Sequence, residues 1–222
     1  MNRLGQWAKG YRDRGRYTPV GVAFHWIMAA VVIFQLGTGW WIQRYLVGGE
    51  KLDAYALHSQ IGLSLLALGL LRLLWRLIVP GPINDADEPG VASTIAHITH
   101  AIFYALFTIL PLSGWAMWSA IQPARPLFLA GIIPVPPMPF YDLSRAWQFR
   151  VLDWAMDVHV AAVIVLALLV PAHALAAIKH HFIDGDDVLE GMFPEVQDRR
   201  QHPQGARHTP PPLADRSDAE RG

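Results

Sequence analysis

Four apolar stretches, each long enough to cross a bilayer, constrain the fold of this 222-residue chain more than any other feature. A membrane-spanning helix needs about 20 apolar residues, because each residue advances about 1.5 Å through a hydrocarbon layer about 30 Å thick. Four spans in one chain predict an all-α fold, a four-helix transmembrane bundle. The predicted spans are Val20–Ile42, Ala56–Ile78, Ile95–Trp118 and Ala155–Ile178.

The composition narrows the class of protein further. Hydrophobic residues make up 53% of the chain and charged residues only 16%, which is typical of a membrane protein. The formal net charge of zero argues against a nucleic-acid-binding protein. The absence of cysteine excludes disulfides, thiolate-bound iron–sulfur clusters and covalently attached haem. The ten histidines are therefore the expected ligands for a transition metal.

The distribution of basic residues predicts the orientation of the bundle. Residues 1–16 carry five basic side chains against one acid, and further basic residues close the second and fourth spans. The positive-inside rule then places both termini in the cytoplasm. We expect a basic N-terminal segment at residues 1–16, a four-helix domain at residues 17–194 and a disordered polar tail at residues 195–222.

Four histidines inside the spans fall into two pairs at matching depths. Alternating helix directions place His58 and His159 near the outer edge of the membrane, and His25 and His173 near the inner edge. His159 and His173 lie 14 residues apart, which corresponds to about 21 Å along one helix face. An imidazole in the membrane needs a partner, and a haem iron takes two axial imidazoles from facing helices. We therefore predict that these four residues ligate two haem b irons.

Two further residues are candidate contacts of the haem groups. Gly62 follows His58 by one helical turn, where a small residue admits a flat macrocycle or simply allows close helix packing. Arg72 shares a face with His58 at the inner depth. We predict that Arg72 pairs with haem propionates, the alternative being contact with lipid headgroups.

Three more histidines lie near the inner edge. His180 follows His173 by seven residues on the same face, which makes it the main rival for the inner ligand position. His97 and His100 open the third span one turn apart. They could contact propionates or a quinone headgroup, but contact with water is the favoured interpretation.

The longest outer loop, residues 119–154, carries four prolines between positions 134 and 139. Proline at this density predicts a rigid, non-helical segment. The segment is interpreted either as a cover over the outer mouth of the bundle or as a plain connector.

The chain also resembles the bacterial cytochrome b561 family of small di-haem b-type cytochromes over residues 17–194. The resemblance consists of Phe24-His25-Trp26, His58 with Gly62, the run Arg72 to Arg76 before Pro80, Ala96-His97 with His100, Leu110-Pro111 with Gly114, His159, His173, and the ending His180-His181-Phe182 with Met192 and Pro194. It implies four helices, two haems b on His25, His58, His159 and His173, and a multi-pass location in the bacterial inner membrane. The activity described for this group resembles superoxide oxidation at the outer side with reduction of ubiquinone.

The sequence leaves three functions open. The favoured one is transmembrane electron transfer by an oxidoreductase that takes electrons from superoxide or another periplasmic donor and passes them to ubiquinone. The second is a cytochrome b anchor subunit between quinone and a partner dehydrogenase or hydrogenase. The third is a non-haem, histidine-rich membrane metal protein, against which stands the scarcity of acids inside the spans, Asp157 excepted. The expected partners are membrane lipid, quinone and the electron donor, with no nucleic acid.

Overall fold

The computed structural model describes residues 3–79, 81, 91–121, 125–140, 142–185 and 188–193. The predicted disordered tail and the motif positions Pro80 and Pro194 lie outside these described residues. Strands β1 (Leu127–Leu129) and β2 (Ile133–Val135) form an antiparallel hairpin, and a π-helical turn (His180–Asp184) follows the longest helix. The helices are α1 (Arg3–Arg12), α2 (Pro19–Tyr45), α3 (Gly48–Ile78), α4 (Val91–Ile121), α5 (Arg145–Lys179) and α6 (Val188–Gly191).

The four predicted spans correspond to α2, α3, α4 and α5. Within the described residues these are the helices that are long and apolar enough to cross a membrane, which confirms the predicted transmembrane bundle. α3 begins at Gly48 rather than Ala56, and α5 begins at Arg145 rather than Ala155. The difference arises because hydropathy detects only the part of a helix in the hydrocarbon layer, whereas both helices continue beyond it.

The bundle has two distinct ends. The terminal end holds the start of α2 and the ends of α3 and α5. The loop end holds the short α2–α3 connection and the β1–β2 hairpin. The four spans alternate in direction, so the first and the last residues that the structure describes both lie at the terminal end.

Contacts between distant segments tie the terminal end together. The Oγ1 atom of Thr18 accepts hydrogen bonds from the backbone N–H of Gly21 and from Nε1 of Trp75, each at 3.3 Å. One hydroxyl therefore caps α2 and also holds the last turn of α3. Nε1 of Trp26 donates a 2.7 Å hydrogen bond to the carbonyl oxygen of Met192, which holds the segment after α6 against α2.

An apolar layer separates the two ends of the bundle. On α5 this layer lies between His159 and His173, so the candidate histidines fall on two levels, one on each side of it. Each of the four spanning helices contributes buried side chains, and together they are Met28, Val32, Leu65, Leu106, Ala162 and Leu166.

Candidate functional site

His58 of α3 and His159 of α5 face each other near the loop end. Their ring centroids are 6.5 Å apart and their ring planes are inclined at 66°. Both side chains are half-buried. The structure thus brings together the two residues that depth alone had paired.

Hydrogen bonds determine which nitrogen of His159 carries its proton. Nδ1 of His159 lies 3.1 Å from the carbonyl oxygen of Leu110 and 2.9 Å from Oγ of Ser113. The Ser113 hydroxyl donates its own proton to the carbonyl oxygens of Ile109 and Leu110, at 2.8 and 3.0 Å. Both neighbours of Nδ1 therefore accept, so Nδ1 carries the proton and the lone pair of Nε2 is available for a metal.

Residues of α2 fix the position of the ring proton of His58 in the same way. Its Nδ1 atom lies 3.3 Å from Oγ1 of Thr38 on α2. The Thr38 hydroxyl donates to the carbonyl oxygen of Gln35 at 3.2 Å, so its oxygen accepts from His58. Gln35 in turn donates from Nε2 to the backbone carbonyl of His58 at 2.8 Å. These contacts again leave Nε2 of the imidazole without a proton.

Glycines lie against both of these imidazole rings. A Cβ atom at Gly39 would stand 3.3 Å from Cε1 of His58, and one at Gly114 would stand 3.8 Å from Cε1 of His159. The missing side chains therefore leave room beside the edge of each ring. Gly62, predicted to admit a macrocycle, instead approaches Gln35, whose Nε2 would lie 3.5 Å from an added Cβ. Its role in cofactor binding stays a prediction.

His25 of α2 and His173 of α5 form the second pair, near the terminal end. Their ring centroids are 6.4 Å apart and their planes are inclined at 56°. The guanidinium of Arg72 reaches this pair, with its Nη2 atom 3.4 Å from Nδ1 of His25. The hydroxyl of Tyr104 also lies beside Arg72. The structure therefore places the predicted propionate partner next to a predicted iron ligand.

His100 lies closer to this second pair than a surface position implies. Its ring centroid is 5.9 Å from that of His173, in an edge-to-face arrangement. Its Nδ1 donates to the carbonyl oxygen of Ala96 at 2.8 Å, which leaves Nε2 free to accept or to bind. His97 and His100 are both exposed, but His97 bonds the carbonyl oxygen of Ser93 in its own helix, through Nδ1 at 2.8 Å.

His180, the rival for the inner ligand position, is engaged elsewhere. Its Nδ1 atom lies 2.8 Å from Oδ2 of Asp184, which also accepts a 2.6 Å hydrogen bond from Lys179. These partly exposed contacts hold His180 in the π-helical turn at the end of the bundle. The structure therefore favours His173 over His180 at the second site.

Both histidine pairs fit a haem iron with two imidazole ligands. A metal–imidazole bond is about 2 Å long, so two rings on opposite sides of one iron have centroids about 6 Å apart. The separations of 6.5 and 6.4 Å match this requirement. Across the part of the chain that the structure describes, no group of three or more His, Asp or Glu side chains could hold a bare metal ion. The donor sets therefore suit haem better than a non-haem metal.

Thr38 and Ser113 were not predicted as site residues, although the sequence contains a signal for them. Thr38 stands between Gly37 and Gly39, and Ser113 stands immediately before Gly114. A hydroxyl next to a small residue in an apolar span is a plausible partner for a buried imidazole on a neighbouring helix. The partner helix and the register could be known only from the packed bundle.

A model of the prokaryotic cytochrome b561 family matches residues 16–195 of this chain. The chain belongs to the prokaryotic cytochrome b561 family. Together with the four spanning helices, this membership makes it a multi-pass protein of the bacterial inner membrane. Cytochrome b561 proteins transfer electrons in the membrane, and the family implies that haem b is bound.

Three relatives of this cytochrome b561 chain match over most of their length. Cytochrome b561 homolog 2 of Escherichia coli (strain K12) is 30% identical over 180 residues, covering 80% of this chain and 91% of the relative. The probable superoxide oxidase CybB of Yersinia pestis is 26% identical over 185 residues, covering 81% and 97%. Cytochrome b562 of Cereibacter sphaeroides is 24% identical over 182 residues, covering 80% and 94%.

Proposed function

We propose that this protein binds two haem b groups, one between His58 and His159 and one between His25 and His173, and moves single electrons between them. The observation that carries this proposal is the ring separation of 6.4 and 6.5 Å in the two pairs, at two levels of one bundle. Haem b supplies reversible one-electron redox chemistry, while the protein sets its spacing, potential and access. Two histidine ligands leave no coordination position open for a substrate.

At the loop end, Thr38 and Ser113 act as positioning residues. Each accepts a hydrogen bond from Nδ1 of one histidine while its own hydroxyl proton is bonded to a helix carbonyl. Such contacts fix the tautomer and the orientation of a ligating imidazole and raise its basicity. A more basic ligand stabilises the oxidised, more positively charged iron, so both hydroxyls lower the reduction potential at this level.

At the terminal end, Arg72 has a different role. Arginine only donates hydrogen bonds, so its contact with Nδ1 of His25 requires that nitrogen to accept and places the ring proton on Nε2. A ligating Nε2 has no proton, and Nδ1 then carries it and can no longer accept from Arg72. Haem binding would therefore release the guanidinium to another acceptor, and a propionate carboxylate is the acceptor that its charge and fork geometry favour.

The apolar layer between the two levels supports electron transfer rather than ion transfer. Its buried members carry no ionisable group, and the Met28 thioether, a weak acceptor, is the only heteroatom among their side chains. Electrons can tunnel through such a layer, whereas a proton needs a chain of polar groups or water. The two histidine levels are thus separated by a layer whose buried side chains offer no ionisable relay for protons.

Superoxide is the proposed electron donor at the loop end, and ubiquinone is the proposed acceptor. Each superoxide loses one electron and becomes dioxygen, and two such electrons with two protons convert one ubiquinone to ubiquinol. The Yersinia relative, named a probable superoxide oxidase, supports this choice. The loop end carries five basic and four acidic side chains outside the spans, and Arg125 pairs with Asp53 at 2.8 Å, so electrostatic steering of an anion is weak.

The orientation follows from the positive charge at the terminal end. α1 and the residues directly after it carry Arg3, Lys9, Arg12 and Arg14. The positive-inside rule places this end in the cytoplasm and the loop end in the periplasm. Superoxide would then be oxidised at the periplasmic side.

The test is superoxide-driven ubiquinone reduction by the purified, haem-loaded protein at several salt concentrations. The proposal expects ubiquinol formation that requires haem, is lost in His159→Ala and depends only weakly on salt. Absence of activity at every salt concentration would exclude superoxide as the donor while leaving the haem sites to be judged by spectroscopy. Quinone reduction that appears only with a co-purified periplasmic partner would instead identify an anchor subunit.

A further inference from the structure

The β1–β2 hairpin contains a wholly apolar stretch in a loop that connects two membrane helices. Residues 127–135 read LFLAGIIPV and contain no polar side chain. Loops that run over a protein surface in water are usually polar. Ile132 and Ile133, next to the turn of the hairpin, are 79% and 58% exposed. Such a stretch requires a non-aqueous neighbour on its open face.

Two contacts show how the hairpin runs along α3. At its base, Nη2 of Arg125 pairs with Oδ1 of Asp53 at 2.8 Å. At its turn, the backbone N–H of Ala130 donates a 2.9 Å hydrogen bond to Oγ of Ser64. Eleven residues of helix and five of strand both span about 17 Å, so the two segments lie side by side and nearly parallel to each other.

The position of Ser64 gives the depth that the hairpin reaches. The predicted membrane span of α3 is Ala56–Ile78, which corresponds to about 33 Å. Ser64 lies about 17 Å below Asp53 and about 12 Å inside this span. The hairpin therefore starts at the charged boundary and its turn lies well inside the hydrocarbon layer.

One side of the hairpin is packed against protein. Leu127 is 1% exposed and belongs to one buried cluster with Ala56, Leu63 and Trp118, which places β1 in the groove between α3 and α4. Ala56 and His58 are two residues apart on α3 and so point about 200° from each other. The hairpin thus covers the side of α3 that faces away from the histidine pair.

The backbone of the hairpin is suited to an apolar medium, where an unbonded N–H costs several kcal/mol. At the turn, the N–H of Ala130 is bonded to Ser64 and that of Ile132 is bonded to the carbonyl oxygen of Leu129 at 3.1 Å. β2 is the outer strand, and Pro134, opposite Phe128 in the register, has no N–H to leave unpaired. The exposed edge is therefore depleted of donors.

We infer that the β1–β2 hairpin is a re-entrant segment that enters the membrane from the loop end, with the open face of its turn against the acyl chains of that leaflet. The apolar sequence, the depth set by Ser64 and the bonded donors at the turn all favour a lipid environment. The segment is thereby a lipid-binding surface of the protein, neither a cover in water nor a plain connector.

The natural absence of cysteine allows a direct test with single-cysteine variants. Ile132→Cys probes the turn, and Val47→Cys in the α2–α3 connection is a matched control, because both side chains are 79% exposed. The full-length protein in lipid nanodiscs, which leave both membrane faces open, is treated with a charged, membrane-impermeant maleimide. Thiolate formation needs water, so we expect Ile132→Cys to react more than about tenfold slower than Val47→Cys. Labelling in SDS, where both sites are accessible, normalises the two rates.

A nitroxide attached at position 132 identifies what covers the turn. High collision with dissolved oxygen and low collision with a water-soluble nickel complex would establish contact with acyl chains. High collision with the nickel complex, or equal maleimide rates at positions 132 and 47, would place the turn in water and overturn the inference. Low collision with both reagents would show a protein neighbour, such as a second copy of the chain, and would also overturn it. Unchanged size-exclusion behaviour of the variants verifies that they are folded.

Discussion

Ser113 and His159 connect α4 to α5 through a 2.9 Å contact between Oγ and Nδ1, deep in the loop-end half of the bundle. The contact lies within one turn of Pro111, where α4 lacks one backbone N–H. The carbonyl oxygen of Leu110, directly before this proline, completes the environment of the same nitrogen at 3.1 Å. α4 carries no predicted iron ligand, but its residues Leu110 and Ser113 orient the predicted ligand His159 on α5.

The first prediction concerns this orientation. Ser113→Ala removes one acceptor from Nδ1 of His159 but leaves the Leu110 carbonyl, so the ligand stays in place with weaker support. We expect about tenfold faster haem loss from the loop-end site, in the range usual for partners of metal ligands. The measurement is haem transfer to an excess of a haem-scavenging protein. Thr108→Val is the control, because the Thr108 hydroxyl donates to the carbonyl oxygen of Tyr104 in its own helix, at 3.0 Å. An equal effect of both variants would contradict the prediction.

The second prediction concerns the number of haem groups. His159→Ala removes one axial ligand of the loop-end pair and leaves the 6.4 Å pair of His25 and His173 intact. We expect haem b per chain to fall from two to one, with about half of the Soret absorbance retained. Pyridine haemochrome quantitation per chain measures the change. His97→Ala should retain both haems; a colourless wild-type protein would rule out the haem assignment altogether.

The third prediction compares two glycines of α2. A Cβ at Gly39 would stand 3.3 Å from Cε1 of His58, whereas one at Gly37 would meet nothing within 4 Å. Gly39→Ala should therefore displace His58 and alter or abolish the loop-end haem signal. Gly37→Ala should keep both haems and stabilise α2 by up to about 1 kcal/mol, the difference in helix propensity between the two residues.

Absorbance and low-temperature electron paramagnetic resonance spectra of these two variants report the axial ligation directly. If Gly37→Ala perturbs the spectrum as strongly as Gly39→Ala, the effect comes from helix packing in general rather than from the approach to His58.

The fourth prediction concerns Arg72. A positive charge near a haem favours the reduced form, because reduction lowers the charge of the iron, so Arg72→Gln should lower the potential at the terminal end. We expect a shift of about 60 mV, equivalent to a tenfold change in a one-electron equilibrium. Arg76→Gln is the matched control one turn further out, with a smaller expected shift. Redox titration monitored by absorbance resolves the two haems; a shift confined to the loop-end haem would contradict the role of Arg72.

The spans and the histidine pairs were accessible from the sequence for a simple reason. A helix rises by a constant distance per residue and a short connection reverses its direction, so depth in the membrane can be counted. That count paired His58 with His159 and His25 with His173, and the ring separations agree with it.

Contacts that depend on how one helix is rotated against another cannot be predicted by counting residues along a helix. The position of His100 beside His173 depends on how α4 rotates against α5, which its position at the mouth of a span does not reveal. The position of the hairpin turn is fixed by a hydrogen bond from the backbone N–H of Ala130 to Ser64, 66 residues away. A serine in an apolar helix usually bonds its own backbone, and Ser64 does so with Gln60 as well, so nothing local marks it as an anchor.

The apolar layer formed around Met28, Val32, Leu65 and Leu106 has an electrical consequence. An electron that crosses it without an accompanying proton carries net charge through about 21 Å, or roughly two thirds, of the insulating part of the bilayer. Moving one electron across the whole membrane costs or releases about 2.3 kcal/mol for each 100 mV of membrane voltage. Moving it two thirds of the way corresponds to about 1.5 kcal/mol for each 100 mV. In the proposed orientation the terminal end faces the negative cytoplasm, so electron flow toward it opposes the membrane voltage, and turnover should accelerate when the membrane is depolarised.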